Sequence, residues 1–364
     1  MGALPLLNPV LEADQVHAFL LMLASLTILF YVVVFLRSRE LSRFGARWQQ
    51  SPEHRLTWRQ TRIVAGAMGV SIGVSVAYYW LVGYNLFLVA LAGGGDDFVS
   101  LRLAAYSGET YTGAGIVNQF KNTILPVTFF ALLFSLYQTK RHVLGAAFLV
   151  VFAPVFLYCI MGAGQRTYLF FSLAMATIYY LNTVRVSYSL LAVFAGGFLV
   201  FFGLFSVTLG RQQGADLFSI IEQLYYRVFV AQQGGALYGF RYVYEQDIQL
   251  GYEWWESIRG LLPGVPGSDL SHRVHELVYG SYRGTAPVSL WVSMYHNFGV
   301  VGVPVCTFIL MALLHQLFRF ILRFERNPIN NMLTAAVLLY SGVMVFGTPL
   351  QILNNGLPAL VLLY

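Results

Sequence analysis

The stretch Val16–Arg47, VHAFLLMLASLTILFYVVVFLRSRELSRFGAR, decides the fold class. Its first 21 residues, Val16 to Leu36, contain no Asp, Glu, Lys or Arg. A bilayer core needs roughly 20 such residues in one helix. Arg37, Arg39, Arg43 and Arg47 then follow against the single acid Glu40. The positive-inside rule places that basic side in the cytoplasm and the N-terminus outside. Glu12 and Asp14 precede the span where a secretory signal would carry basic residues, so the span reads as retained.

The rest of the 364 residues agrees with a membrane protein. Charged residues make up 10% of the chain, against roughly 25% in soluble domains. With 57% hydrophobic residues and a mean hydropathy of +0.64, the chain has too few charges to cover a soluble surface or to stay disordered. Further apolar runs predict spans at 63–91, 121–138, 143–161, 167–184, 187–208, about 297–318 and 329–347. The run 349–364 is a ninth span or a short return into the membrane. The second run is too long for one upright helix and is expected to end near Gly83, with Leu86–Leu91 lying at the interface. Gly69 and Gly73 are read as a helix-packing pair. Cys159 and Cys306 are read as buried thiols.

Alternating these spans gathers the basic loop 37–62, Lys140, Arg141, Arg185, Arg319, Arg323 and Arg326 inside, for a charge of +10. The outside sums to −4, which gives the net +6. Short inner loops leave no room for a cytosolic catalytic domain or a phosphate-binding glycine loop. The basic excess belongs to inner loops, so nucleic acid is not expected as a partner. The predicted fold is an all-α polytopic membrane domain over 1–364, with about 8–9 spans and a large outer loop, 209–287, of short interfacial helices.

The outer segments hold the candidate chemistry. Arg166 lies in a tight turn between two spans, where it fits either a bound anion or bulk phospholipid. Arg102 sits on a predicted short helix after the Gly93–Gly95 turn. The 209–287 loop carries six Arg, eight acids and no Lys. Arginine offers phosphate a planar, two-pronged donor set that lysine lacks. Arg211, Arg227 and Arg241 are candidates there, and Trp254 and Trp255 suit either an interfacial belt or sugar stacking. His272, Arg273, His275, Glu276 and Arg283 cluster without a metal-ligand pattern. His296, at the mouth of an apolar run, has the chemistry of a base near neutral pH.

The order of several short motifs resembles the Wzy-type oligosaccharide repeat-unit polymerases that build O-antigen and capsule. These are Arg102 to Tyr106-Ser107-Gly108 with Leu125-Pro126, Gly164-Gln165-Arg166-Thr167, Tyr226-Arg227 before Gln232-Gln233-Gly234, and Leu261-Leu262-Pro263. The last are Thr285–Ser289 and Tyr295-His296-Asn297-Phe298-Gly299-Val300-Val301-Gly302. Many members carry Glu where this chain has Ser293, and the span count is low for the family. The resemblance implies a bacterial inner-membrane glycosyltransferase, independent of metal and without a cofactor. It would move a growing glycan from undecaprenyl pyrophosphate onto a lipid-linked repeat unit at the periplasmic face. The expected partners are that lipid-linked oligosaccharide, membrane lipids and a chain-length regulator. Arg166 and Arg102 would then meet the pyrophosphate, with Arg227, Arg241 and Arg211 in reserve. His296 would be the base and Glu276 the second choice, while Tyr295 and Asn297 would position sugar or base. An O-antigen ligase fits the same features, and a lipid or polysaccharide transporter remains a third reading.

Overall fold

The computed structural model describes residues 11–93, 95–106, 114–165, 167–183, 232–260 and 265–343, with scattered positions elsewhere. Arg166, Arg211, Arg227, most of the 187–208 run, the Leu261 and Pro263 landmarks and most of 349–364 lie outside the described residues. The described chain is helical, with no strand among those residues. The helices are α1 (Ala13–Gln50), α2 (Trp58–Val82), α3 (Leu86–Leu91), α4 (Gly95–Tyr106) and α5 (Ala114–Asn118). A π-helical turn, Gln119–Ile124, joins α5 to α6 (Leu125–Gln138), followed by α7 (His142–Met161) and α8 (Thr167–Thr183). After the intervening segment come α9 (Gln232–Tyr244), α10 (Tyr252–Arg259), α11 (Leu270–Tyr279), α12 (Leu290–Ile321) and α13 (Pro328–Val343). Five helices are long and apolar enough to cross a bilayer: Ala13–Tyr31 of α1, α2, Gly115–Gln138, α7 and α12. At 17 and 16 residues, α8 and α13 fall short of that length.

Local chemistry sets the boundaries. Thr57 and Gln60 form a reciprocal capping box that starts α2. Gly83, in the left-handed conformation, ends it, and Asn85 caps α3 by accepting from the Phe87 and Leu88 amides. The expected break at Gly83 and the short piece Leu86–Leu91 are therefore both present.

Two apolar clusters organise the bundle. One joins α2, α6, α7, α8 and α13. Its rings interlock, with Phe129 stacked on Phe156 at 4.5 Å and Phe134 on Tyr179 at 4.1 Å. Between helices in lipid such contacts carry the packing, because the hydrophobic effect offers little difference there. The other cluster joins the start of α1 to α9, α11 and α12.

The arginine-rich ends converge. Glu53 accepts from the Tyr179 hydroxyl and from Asn331 Nδ2, both at 2.8 Å. Arg326 donates to the carbonyls of Gln49, Ser51 and Asn182. Gln138 Nε2 reaches the Glu53 carbonyl. Segments read from charge alone as lying on one side thus share one end of the bundle.

Two readings need correction. Residues 37–50 are not a loop but the continuation of α1, and only 51–57 are non-helical. The third span starts at Gly115 rather than 121, so Lys121 is not an outer-loop charge. It is 2% exposed, its Nζ donating to the Tyr79 hydroxyl at 3.3 Å, which donates to the Cys159 carbonyl. The π-turn adds a residue to the helical repeat and turns Lys121, Asn122, Thr123 and Ile124 all inward. Gly69 and Gly73 meet no described residue: an added Cβ has no described atom within 4 Å at either. α12 begins at Leu290 but breaks at Gly299, so Tyr295, His296 and Asn297 close a short first helix and stand ahead of the long apolar run.

Candidate functional site

The described candidates fall into two groups, both at the end of the bundle opposite Arg326. From His142 to Met161 is 20 residues, about 30 Å of helix. From Gly299 to Ile321 is a similar rise along α12. Each group is thus about a bilayer thickness from the arginine-rich end.

The first group surrounds the turn Gly162–Gln165. Gly162 admits no side chain, because a Cβ would strike the Tyr79 ring and the Asn85 amide. Its carbonyl accepts from the Leu86 amide at 2.8 Å. Gly164 has a positive φ of 69°, and a Cβ there would lie 3.7 Å from Arg102 Cδ. The helix expected around Arg102 is present as α4, and Tyr84 Oη donates to the Leu101 carbonyl at 3.3 Å. Arg102 therefore lies against the turn that leads directly into Arg166.

The second group is built on a break in α12. Ser289 caps the helix by accepting from the Val292 amide. Helical geometry then fails at Gly299, with φ 66° and ψ −167°, a region essentially reserved for glycine. The break leaves the preceding carbonyls without helical donors. The His296 carbonyl finds one in the Gln249 amide at 2.9 Å. Phe298 folds over Gly302, where a Cβ would overlap its own Cβ, and meets Trp254 edge-on at 5.2 Å. These contacts give the Asn297-Phe298-Gly299-x-x-Gly302 pattern a physical meaning.

A carboxylate that the sequence did not single out occupies the centre. Glu253, on α10, is 3% exposed. Its Oε2 accepts from Ser293 Oγ at 2.9 Å and from Asn297 Nδ2 at 2.8 Å, and its Oε1 accepts from Ser257 Oγ at 3.3 Å. Trp254 Nε1 donates to Ser293 Oγ at 2.9 Å. Ser293 is thus bound to a glutamate supplied from another helix. Asn297 is engaged by this carboxylate and is not a free sugar ligand, although its Oδ1 is buried without a partner.

His296 is buried with Nδ1 unpartnered, and Glu253 and Asp269 are the carboxylates whose charge reaches it. Tyr295 packs at 5.0 Å from Phe240 and stacks at 6.3 Å on Tyr244, which brings α9 alongside. Arg241, on α9, is half-buried and forms no ion pair with a described residue. Glu276 is half-exposed and lies 3.7 Å from Arg273, on the α11 face it shares with Asp269. Tyr282 donates to Asp269, and burial together with that carboxylate holds its hydroxyl above the ordinary phenol range. His272 and His275 spend Nδ1 on the Tyr282 and Ser281 carbonyls. No metal-binding group of His, Cys, Asp or Glu occurs among the described residues.

The structure thus brings Tyr295, His296 and Asn297 together with Glu253, with Asp269 near enough for its charge to reach His296, while Arg241 lies on the adjoining α9 and Glu276 on α11. Arg102 belongs to the other group, with no described contact between the two. The missed Glu253 had a weak signal: it lies on a short helix of strong two-sided character, beside Trp254 and with Ser257 one turn on. No family model, curated protein or solved structure matches the chain.

Proposed function

We propose that the chain is a membrane glycosyltransferase that polymerises lipid-linked oligosaccharide repeat units at the outer face of a bacterial inner membrane. The observation that carries this reading is that one end of the bundle holds both Arg102, set against the 162–165 turn, and, separately, a buried carboxylate near a histidine at a broken helix. The first suits a leaving group that gains negative charge. The second suits an acceptor hydroxyl that must lose a proton.

In the reaction the acceptor hydroxyl attacks the anomeric carbon of the growing chain, the anomeric C–O bond breaks, and undecaprenyl pyrophosphate leaves with the electron pair. Arg102 and Arg166 stabilise that charge, since donors already in place need no reorganisation. His296 takes the hydroxyl proton. Glu253 fixes the α12 segment that presents His296, acting as a positioning residue. Arg241, on the adjoining α9, is a further candidate contact for phosphate or glycan.

Arg166→Ala in reconstituted protein is expected to slow chain elongation by about a hundredfold, the scale of losing one charge-stabilising donor. Undiminished elongation would remove Arg166 from the mechanism. Deleting the chain in its bacterium tests the reading as a whole. A lone repeat unit on the carrier or on lipid A–core, with the glycan ladder gone, supports polymerisation. Long polymer held on undecaprenyl above bare core would instead assign ligation. An unchanged ladder would end both readings.

A further inference from the structure

The arginine-rich end holds a cavity of about 430 Å³ between the end of α1, the 51–54 link and the 322–326 turn before α13. Arg47, Arg323, Arg326 and His54 line it around Trp48, against one acid, Glu325. Arg326 is 7% exposed and its ring-facing guanidinium lies 5.3 Å from the centre of Trp48. Its terminal nitrogens are held by backbone carbonyls, while Nε is buried with no partner. This wall offers positive charge and an unused buried donor.

What leads to the cavity is apolar. Val305, Ile309, Leu313 and Phe320 are more than half exposed, or half exposed in the case of Phe320, and lie at helical spacing along α12. Phe320 meets Phe324, a residue of the cavity wall, at 5.0 Å. A soluble anion has no use for that stripe, whereas an acyl chain does. We propose that this cavity binds the phosphate of an anionic phospholipid, with the acyl chain lying along α12. The assignment stands apart from the glycan chemistry above and concerns the opposite end of the molecule.

The test uses the detergent-purified full chain, incubated with phosphatidylglycerol or phosphatidylcholine and examined by native mass spectrometry. Phosphatidylglycerol is expected to be retained in preference. Arg47 and Arg323 are both exposed, so the double variant R47Q/R323Q is expected to fold with an unchanged thermal midpoint. Its preference is expected to weaken by about 30-fold, the combined effect of two arginines near an anionic headgroup. R39Q/R59Q removes the same charge outside the cavity and is expected to keep the preference. Equal retention of both lipids, or the same loss in R39Q/R59Q, overturns the proposal. Inorganic phosphate protecting the chain against heat as well as phosphatidylglycerol does would mean a soluble anion, and the lipid assignment would fall.

Discussion

Glu253→Ala is expected to lower the thermal midpoint of the purified chain more than any other single polar truncation between residues 232 and 300. The carboxylate satisfies Ser257, Ser293 and Asn297 in a buried setting. Removing it leaves those donors facing a void, at about 1–3 kcal/mol for each one that finds no other acceptor. A total of about 3 kcal/mol or more is expected. Glu253→Gln separates structure from charge. Its amide oxygen can keep the two bonds now made by Oε2, and the Ser257 hydroxyl can rotate to accept from the new NH₂. The glutamine variant should therefore stay within about 1 kcal/mol of the parent. It nevertheless removes a charge that reaches His296. Thermal unfolding of both variants, read beside chain elongation, decides the matter. An alanine variant that melts with the parent would show that the hydrogen-bonded group is not what holds α10 to α12.

These residues also mark the limit of what the sequence discloses. The five long apolar helices follow from local hydropathy, and the shared arginine-rich end follows from counting charges, because lipid imposes both on the chain piece by piece. The Gly83 break and the helix bearing Arg102 were legible for the same reason: their signals lie within a few neighbouring residues. Glu253 was not legible. It is one of eight acids in a polar segment, and its partners Ser293 and Asn297 are 40 and 44 residues away. Nothing local tells that such a carboxylate is buried. Lys121 was hidden differently. Its burial depends on a π-turn, a one-residue shift of helical register with no composition of its own. The glycine pair at Gly69 and Gly73 is a third case, since a packing pattern has meaning only with a neighbouring helix, and no described residue lies against it.

The glycines of α12 are expected to behave in the opposite manner from those of α2. At Gly302 an alanine Cβ would overlap Phe298 Cβ, an atom fixed to the backbone that cannot swing aside. Backbone must move instead, and overpacking of this kind costs typically about 1–3 kcal/mol, sometimes more. The movement would fall on the turn that carries His296 and Asn297. At Gly299, φ 66° with ψ −167° is strained for any L side chain, by about 1–3 kcal/mol, and Ile248 Cδ1 already lies 3.1 Å from the added Cβ. Gly299→Ala and Gly302→Ala should each depress the thermal midpoint and disrupt the Asn297–Glu253 hydrogen bond. On α2, Gly66→Ala, Gly69→Ala and Gly73→Ala enter open space on a regular helix. There alanine is favoured over glycine by about 0.5–1 kcal/mol, so these variants should melt at or above the parent. Thermal midpoints of the five single variants, measured in one detergent, check both halves together. If the α12 variants matched the α2 variants, the break at Gly299 would lose its claim to position the site. If the α2 variants alone fell, their glycine face would be packed against a partner beyond the described residues, either another segment of the chain or a second copy.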